Sequence, residues 1–307
     1  MDFGRLADPA QLETVNFALP DEAPATTRML AELAPASTPD IYIGCPIWNH
    51  PGLAEQLYPP ATPPGEYLRH YARHFNTIEL NTTYYGTRPG LLRRWHSMVA
   101  PEFRFVPKLV KTVSHDRRLR QAESETLQFC NSLTELGANL GPVFALLPGD
   151  FGPAQFVDLA RFVTGFPRDL ELAVELRHPQ WFAAGERHTI GDAFALFEES
   201  ATIAIITDVA GRRDVLHQRL TSTRGTLVVR FVGNRLHATD FARLDAWVER
   251  LGDWCERGLR NVYFFLHQPD ESLNIPLARH LIAGLNQRLG LALRPPEPFA
   301  QQQDLFG

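Results

Sequence analysis

The stretch Phe75-Asn76-Thr77-Ile78-Glu79-Leu80-Asn81-Thr82-Thr83-Tyr84-Tyr85 is where the fold can be read. Side chains alternate along a strand, so Thr77–Asn81 puts Ile78 and Leu80 on one face and Glu79 with Asn81 on the other. A carboxylate and an amide thus point together at the exit of a mostly apolar strand. Structural hydrogen-bond networks also bury carboxylates, so a structural and a functional role for Glu79 both stand at this point.

Outward from this strand, short apolar runs alternate with helical periods from Ile41 onward. That is the pattern of a parallel sheet with crossover helices. Strands are expected at Ile41–Cys45, Thr77–Asn81, Phe103–Leu109, Pro142–Leu147, Leu170–Arg177, Thr202–Thr207, Thr226–Val232 and Asn261–Leu266. The helix expected over Asp240–Arg257 carries Phe241, Leu244, Val248, Leu251 and Cys255 at near-helical spacing, with Thr239 or Asp240 as its cap. After the sixth strand there is room for only a short helix. Eight β/α units over roughly 250 residues are the count and size of a TIM-type (β/α)8 barrel, a single α/β domain. A doubly wound sheet is the alternative, and neither a G-x-G-x-x-G nor a P-loop is present to favour it.

These residues also carry a family resemblance. The quoted stretch is similar to the F-N-T-V-E-x-N-x-T-F-Y pattern of the domain-of-unknown-function 72 (YecE-like) family. Ile43-Gly44-Cys45 with Trp48, Arg94-Trp95, Phe103-Arg104-Phe105 with Lys108, Thr112 with His115, Leu140-Gly141-Pro142, and Glu175-Leu176-Arg177-His178-Pro179 with Trp181 follow in the expected order. The resemblance covers about residues 41–290 and implies a TIM-type barrel; no activity is established for the family. Where the family pattern more often closes its eighth strand with Asn-Asn-type residues, this chain has His267-Gln268.

Residues 1–39, cut by Pro9, Pro20, Pro24, Pro35 and Pro39, read as an N-terminal extension that wraps the barrel or stays loose. Residues 40–292 form the barrel, and 293–307 form a Pro-led tail. The tail ends Gln302-Gln303-Asp304-Leu305-Phe306-Gly307. It resembles the bacterial sliding-clamp-binding peptide, which implies Gln302, Leu305 and Phe306 as partner-binding residues; a tail packed back on the barrel is the alternative.

Of 307 residues, 44% are hydrophobic and 21% charged, ordinary values for a soluble globular chain. The 30 Lys and Arg against 35 Asp and Glu give a net charge of −5, which argues against a surface that coats nucleic acid, so any anion site is local. Cys45, Cys130 and Cys255 are odd in number and widely spaced, which suggests neither a disulfide framework nor a zinc knuckle. No signal peptide or membrane span is legible, and a cytoplasmic protein is expected.

In TIM-barrel enzymes chemistry gathers where the strands end. On the assignment above, that rim holds Glu79, Glu175 and Asp208 as acid–base carboxylates. Asn81, Lys108, His115, Arg177, Arg230 and His267 are the substrate-binding candidates. Between Lys108 and Arg120 five basic residues face the single acid Asp116, a composition suited to phosphate or to a solvated loop. His115, His178 and His267 with these carboxylates could ligate a divalent metal, but no tight spacing indicates one, and no cofactor is indicated. The expected function is an enzyme, a hydrolase or lyase, acting on a small anionic substrate that is phosphorylated or derived from nucleic acid. The alternative is a non-catalytic barrel acting as a binding module in DNA-maintenance assemblies.

Overall fold

The computed structural model describes residues 4–6, 8–33, 38–182 and 190–299. Among the described residues nine parallel strand segments follow in order: β1 (Asp40–Cys45), β2 (Thr77–Leu80), β3 (Arg104–Pro107), β4 (Val143–Leu146), β5 (Leu172–Glu175), β6 (Ile203–Ala204), β7 (Ile206–Asp208), β8 (Thr226–Val232) and β9 (Asn261–His267). They form a six-stranded sheet, β3-β2-β1-β9-β8-β7, and a three-stranded sheet, β4-β5-β6. Two places relate the sheets. Isolated bridges join Phe105 to Leu140 and Lys108 to Phe144. At the other place, the segment 203–208 pairs through Ile203 and Ala204 with β5 and through Ile206–Asp208 with β8.

Strands buried on both faces explain the apolar runs. Ile78, Leu80, Val174, Ile206, Val229, Phe231 and Phe264 pack with the helices in the main core, whereas Val106, Phe144, Ala173, Ile203, Ile205, Val228 and Phe265 form a second cluster on the opposite face. We call this second face the inner one. Period-two alternation then assigns Glu79, Glu175, Thr207, Arg230 and His267 to it.

The helices are α1 (Pro24–Glu32), α2 (Pro51–Leu57), α3 (Tyr67–Tyr71), α4 (Pro89–His96), α5 (Glu123–Leu133), α6 (Phe156–Gly165), α7 (Ile190–Glu199), α8 (Ala238–Glu256) and α9 (Asn274–Leu289). As expected, only a 3-10 turn, Arg213–Val215, follows the sixth strand position. Several strands end earlier than the apolar runs suggest. Asn81 opens a 3-10 turn, Asn81–Tyr85, because its side chain turns back to Glu79 and to Pro46 O. The cap of α8 is His237, whose ring accepts from Thr239 N, and not Thr239 or Asp240. Asp240 is buried one turn in and accepts from Asn234 N at 2.7 Å.

The N-terminal residues that are described lie against the strand-bearing body. Trp254 on α8 and Arg257 at its C-terminal cap hold the Glu22 carboxylate at 2.6 and 2.8 Å, and the buried Thr26 hydroxyl donates to Gln218 O. At the other end, Pro296 is buried and accepts from Arg279, and Phe299 N donates to Gln56 O, so the described part of the tail lies against the body. The clamp-like residues Gln302, Leu305 and Phe306 lie outside the described residues. No helix among the described residues is long and apolar enough to cross a membrane.

Candidate functional site

At the C-terminal ends of the strands, the inner face carries a lattice of buried charge. Arg230, from β8, donates from Nε and Nη2 to the two oxygens of Glu79, at 2.8 and 3.1 Å, and from Nη1 to Glu175 at 2.5 Å. Arg177 donates to the other Glu175 oxygen at 2.6 Å. His267 Nε2 lies 3.0 Å from Glu79 Oε2, and Asn81 Nδ2 donates to Oε1 at 3.0 Å. Glu79, Glu175 and Arg230 are buried to within 1% of completely. Charges removed from water this fully persist only when paired and hydrogen-bonded, and here both carboxylates are.

The pairing decides protonation. Burial opposes ionisation of Glu79, but the Arg230 and His267 contacts outweigh it and hold its pKa well below the usual carboxylate range. Burial likewise opposes Glu175, and Arg177 and Arg230 bring it down to about 2. Both are fixed anions at neutral pH. As an ionised acceptor, Glu79 requires the proton of His267 to sit on Nε2.

Lys108 follows β3 on the same face, one strand period beyond Val106. Its backbone is pinned: N donates to Leu80 O, and its O accepts from Thr83 Oγ1 at 2.8 Å. Its ammonium lies 4.5 Å over the Tyr84 ring and 5.9 Å from the Phe144 ring, in contact with π faces rather than a carboxylate. His115 borders it, bonded to Ser114 Oγ at 2.9 Å and edge-on to Tyr84. Burial and the neighbouring Lys108 and Arg177 charges lower the His115 pKa.

Asp208 does not join this group. It shares the helix-facing side of its strand with Ile206, where Arg243, Arg213 and Trp247 Nε1 donate to its carboxylate. The inner position belongs to Thr207, which is in register with Arg230. Thr207 Oγ1 is buried without a hydrogen-bond partner. The alternation Ile203, Ile205, Thr207 was the signal that pointed to Thr207 instead of Asp208. The basic loop is corrected too: Lys111 pairs with Asp116, Arg117 with Glu125, Arg118 with Asp150 and Arg120 with Asp158. Three of those four acids come from other segments, so a count within the loop misses them. His178 caps the 3-10 turn Pro179–Trp181. No three His, Cys, Asp or Glu side chains among the described residues are placed to hold a metal ion.

Fold and site together define the class: an α/β protein with parallel strands and a desolvated carboxylate–guanidinium lattice at their C-terminal ends. A model of the family described as "Protein of unknown function DUF72" matches residues 42–302, and the chain belongs to that family. The UPF0759 protein YecE of Escherichia coli strain K12 is 30% identical over 289 residues, covering 87% of this chain and 100% of that protein, and its counterpart in strain O157:H7 matches equally. A DUF72 family structure from Enterococcus faecalis has a TM-score of 0.63 at 18% identity, covering 85% of this chain and 100% of its own. One from Thermotoga maritima has a TM-score of 0.58 at 19% identity, covering 76% and 97%. These two likenesses concern the fold alone.

Proposed function

We propose that the two sheets are arcs of one TIM-type (β/α)8 barrel, and that the chain is an enzyme acting on a small anionic substrate, phosphorylated or nucleic-acid-derived, at the C-terminal mouth. The observation that carries the ligand reading is Lys108. It stands half-buried beside the lattice, and no carboxylate of the described residues lies within ion-pair distance of it. An ammonium so placed is completed by an anion from solution. Glu79 and Glu175 then orient Arg230 and Arg177, Asn81 and His267 fix Glu79, and Thr207 and His115 line the mouth. Asp208 has no part in the chemistry. The shared inner cluster and the bridges between β3 and β4 support closure of the barrel. The tail Gln302–Phe306 supports a sliding-clamp partner by its sequence alone.

Phosphate or sulfate should raise the melting temperature, since a ligand that binds only the folded state stabilises it by about 2.7 kcal/mol at one hundred times its Kd. Lys108→Ala should remove most of the rise. Equal shifts in the two proteins would refute the anion site.

A further inference from the structure

Among the 30 Lys and Arg residues of this chain, Lys108 and Lys111 are the lysines, which leaves 30 − 2 = 28 arginines. Arginine does nearly every cationic task here, including the neutralisation of Glu79 and Glu175. The two side chains differ in one chemical respect that bears on position 108: an amine can shed its proton and attack carbon, whereas a guanidinium stays protonated. Lys111 is engaged at the surface by Asp116 at 2.9 Å. Lys108 has the rings of Tyr84 and Phe144 against its ammonium, on the inner face at a strand end. Burial, and after it the Arg230 and Arg177 charges, outweigh the opposing pull of Glu79 and Glu175, so its pKa lies below that of an ordinary lysine.

We propose that Lys108 is a nucleophilic amine that condenses with the carbonyl of an anionic aldehyde or keto acid to form a Schiff base. This rests on the anion-site reading and names the chemical class of its ligand. The lone pair of neutral Nζ attacks the carbonyl carbon and the C=O π pair moves to oxygen. That oxygen then leaves as water, carrying two of the three protons of the original ammonium, while the third stays on the iminium nitrogen. The balance needs no oxidant, reductant or metal. Because the iminium keeps the positive charge, it holds the substrate's carboxylate or phosphate as the ammonium holds a plain anion. The charge facing Glu79 and Glu175 is therefore the same before and after condensation.

The test uses the full chain at neutral pH with glyoxylate and sodium cyanoborohydride, followed by peptide mass mapping; formaldehyde serves as a small neutral aldehyde in parallel. Lys108 should be alkylated faster than Lys111, whose ammonium is held by Asp116. Urea should erase the preference. Lys108→Arg, checked for its fold by circular dichroism, should lose the adduct, and Lys111→Arg should keep it. Labelling of Lys108 no faster than Lys111, or labelling by formaldehyde and not by glyoxylate, overturns the proposal. Phosphate stabilisation measured on the same samples separates the two readings: if it persists without an adduct, the Schiff base falls and the anion site stands, and if both are missing, both fall.

Discussion

Glu175 shows how a buried residue converts position into a measurable property. In the unfolded chain it titrates near its ordinary 4.5; in the folded protein Arg177 and Arg230 bring it to about 2 against the cost of burial. The folded state therefore binds fewer protons than the unfolded state between these values, and stability falls as pH drops through that window. The contribution is fully present above about pH 4.5. In Glu175→Gln, acid titration of the urea midpoint should be flatter between pH 4.5 and 2 than in wild type; an unchanged slope would show that Glu175 is not paired as described. That Glu79 faces inward was legible, because Ile78 and Leu80 flank it and strand alternation is strict. The counter-charge on each carboxylate was not, because Arg230 is 151 residues from Glu79 in sequence.

At the scale of the element, the segment 203–208 is instructive. Reading the acid after an apolar run as a site residue overlooked parity: one residue further along a strand is the other side of the sheet. Asp208 anchors α8 instead, through Arg243 and Trp247. Asp208→Ala leaves a buried guanidinium without its partner and should cost about 3–5 kcal/mol in denaturant unfolding. The phosphate-induced rise in melting temperature should survive in that variant, since Asp208 lies on the far side of the sheet from Lys108. Loss of the rise would return Asp208 to the site. The helices were readable from their periodicity, whereas strand ends were not, because side-chain caps such as Asn81 on Pro46 O decide where a strand stops.

For the whole molecule, the order of β/α units was visible in the sequence because each unit is a local pattern. The ends of the chain were not, because their partners are remote: Glu22 meets Arg257, and Phe299 meets Gln56. On the proposal of a clamp partner, deleting Gln302–Gly307 should abolish capture by the bacterial sliding clamp and leave the calorimetric melting temperature unchanged. Cutting the chain before Pro295 should in addition lower the melting temperature by a few degrees, through loss of the Pro296 and Phe299 contacts. A melting temperature lowered as much by the shorter deletion would make the last residues structural.

The partner switch within 203–208 has a consequence for how the protein yields. Around the switch, backbone groups outside the ladders are taken by side chains: Ala204 N donates to Thr221 Oγ1, and Ile205 O is bonded to His217 Nε2. The sheets β4-β5-β6 and β3-β2-β1-β9-β8-β7 are thus separate neighbourhoods of backbone pairing, joined by this continuous segment and by the bridges between the ends of β3 and β4. Such neighbourhoods open as units of local unfolding, each with its own amide-exchange protection. Arg230 binds Glu79 from the six-stranded sheet and Glu175 from the three-stranded one. The guanidinium that shapes the mouth is therefore also the rivet across the seam, and a fluctuation that parts the two sheets must first break the site.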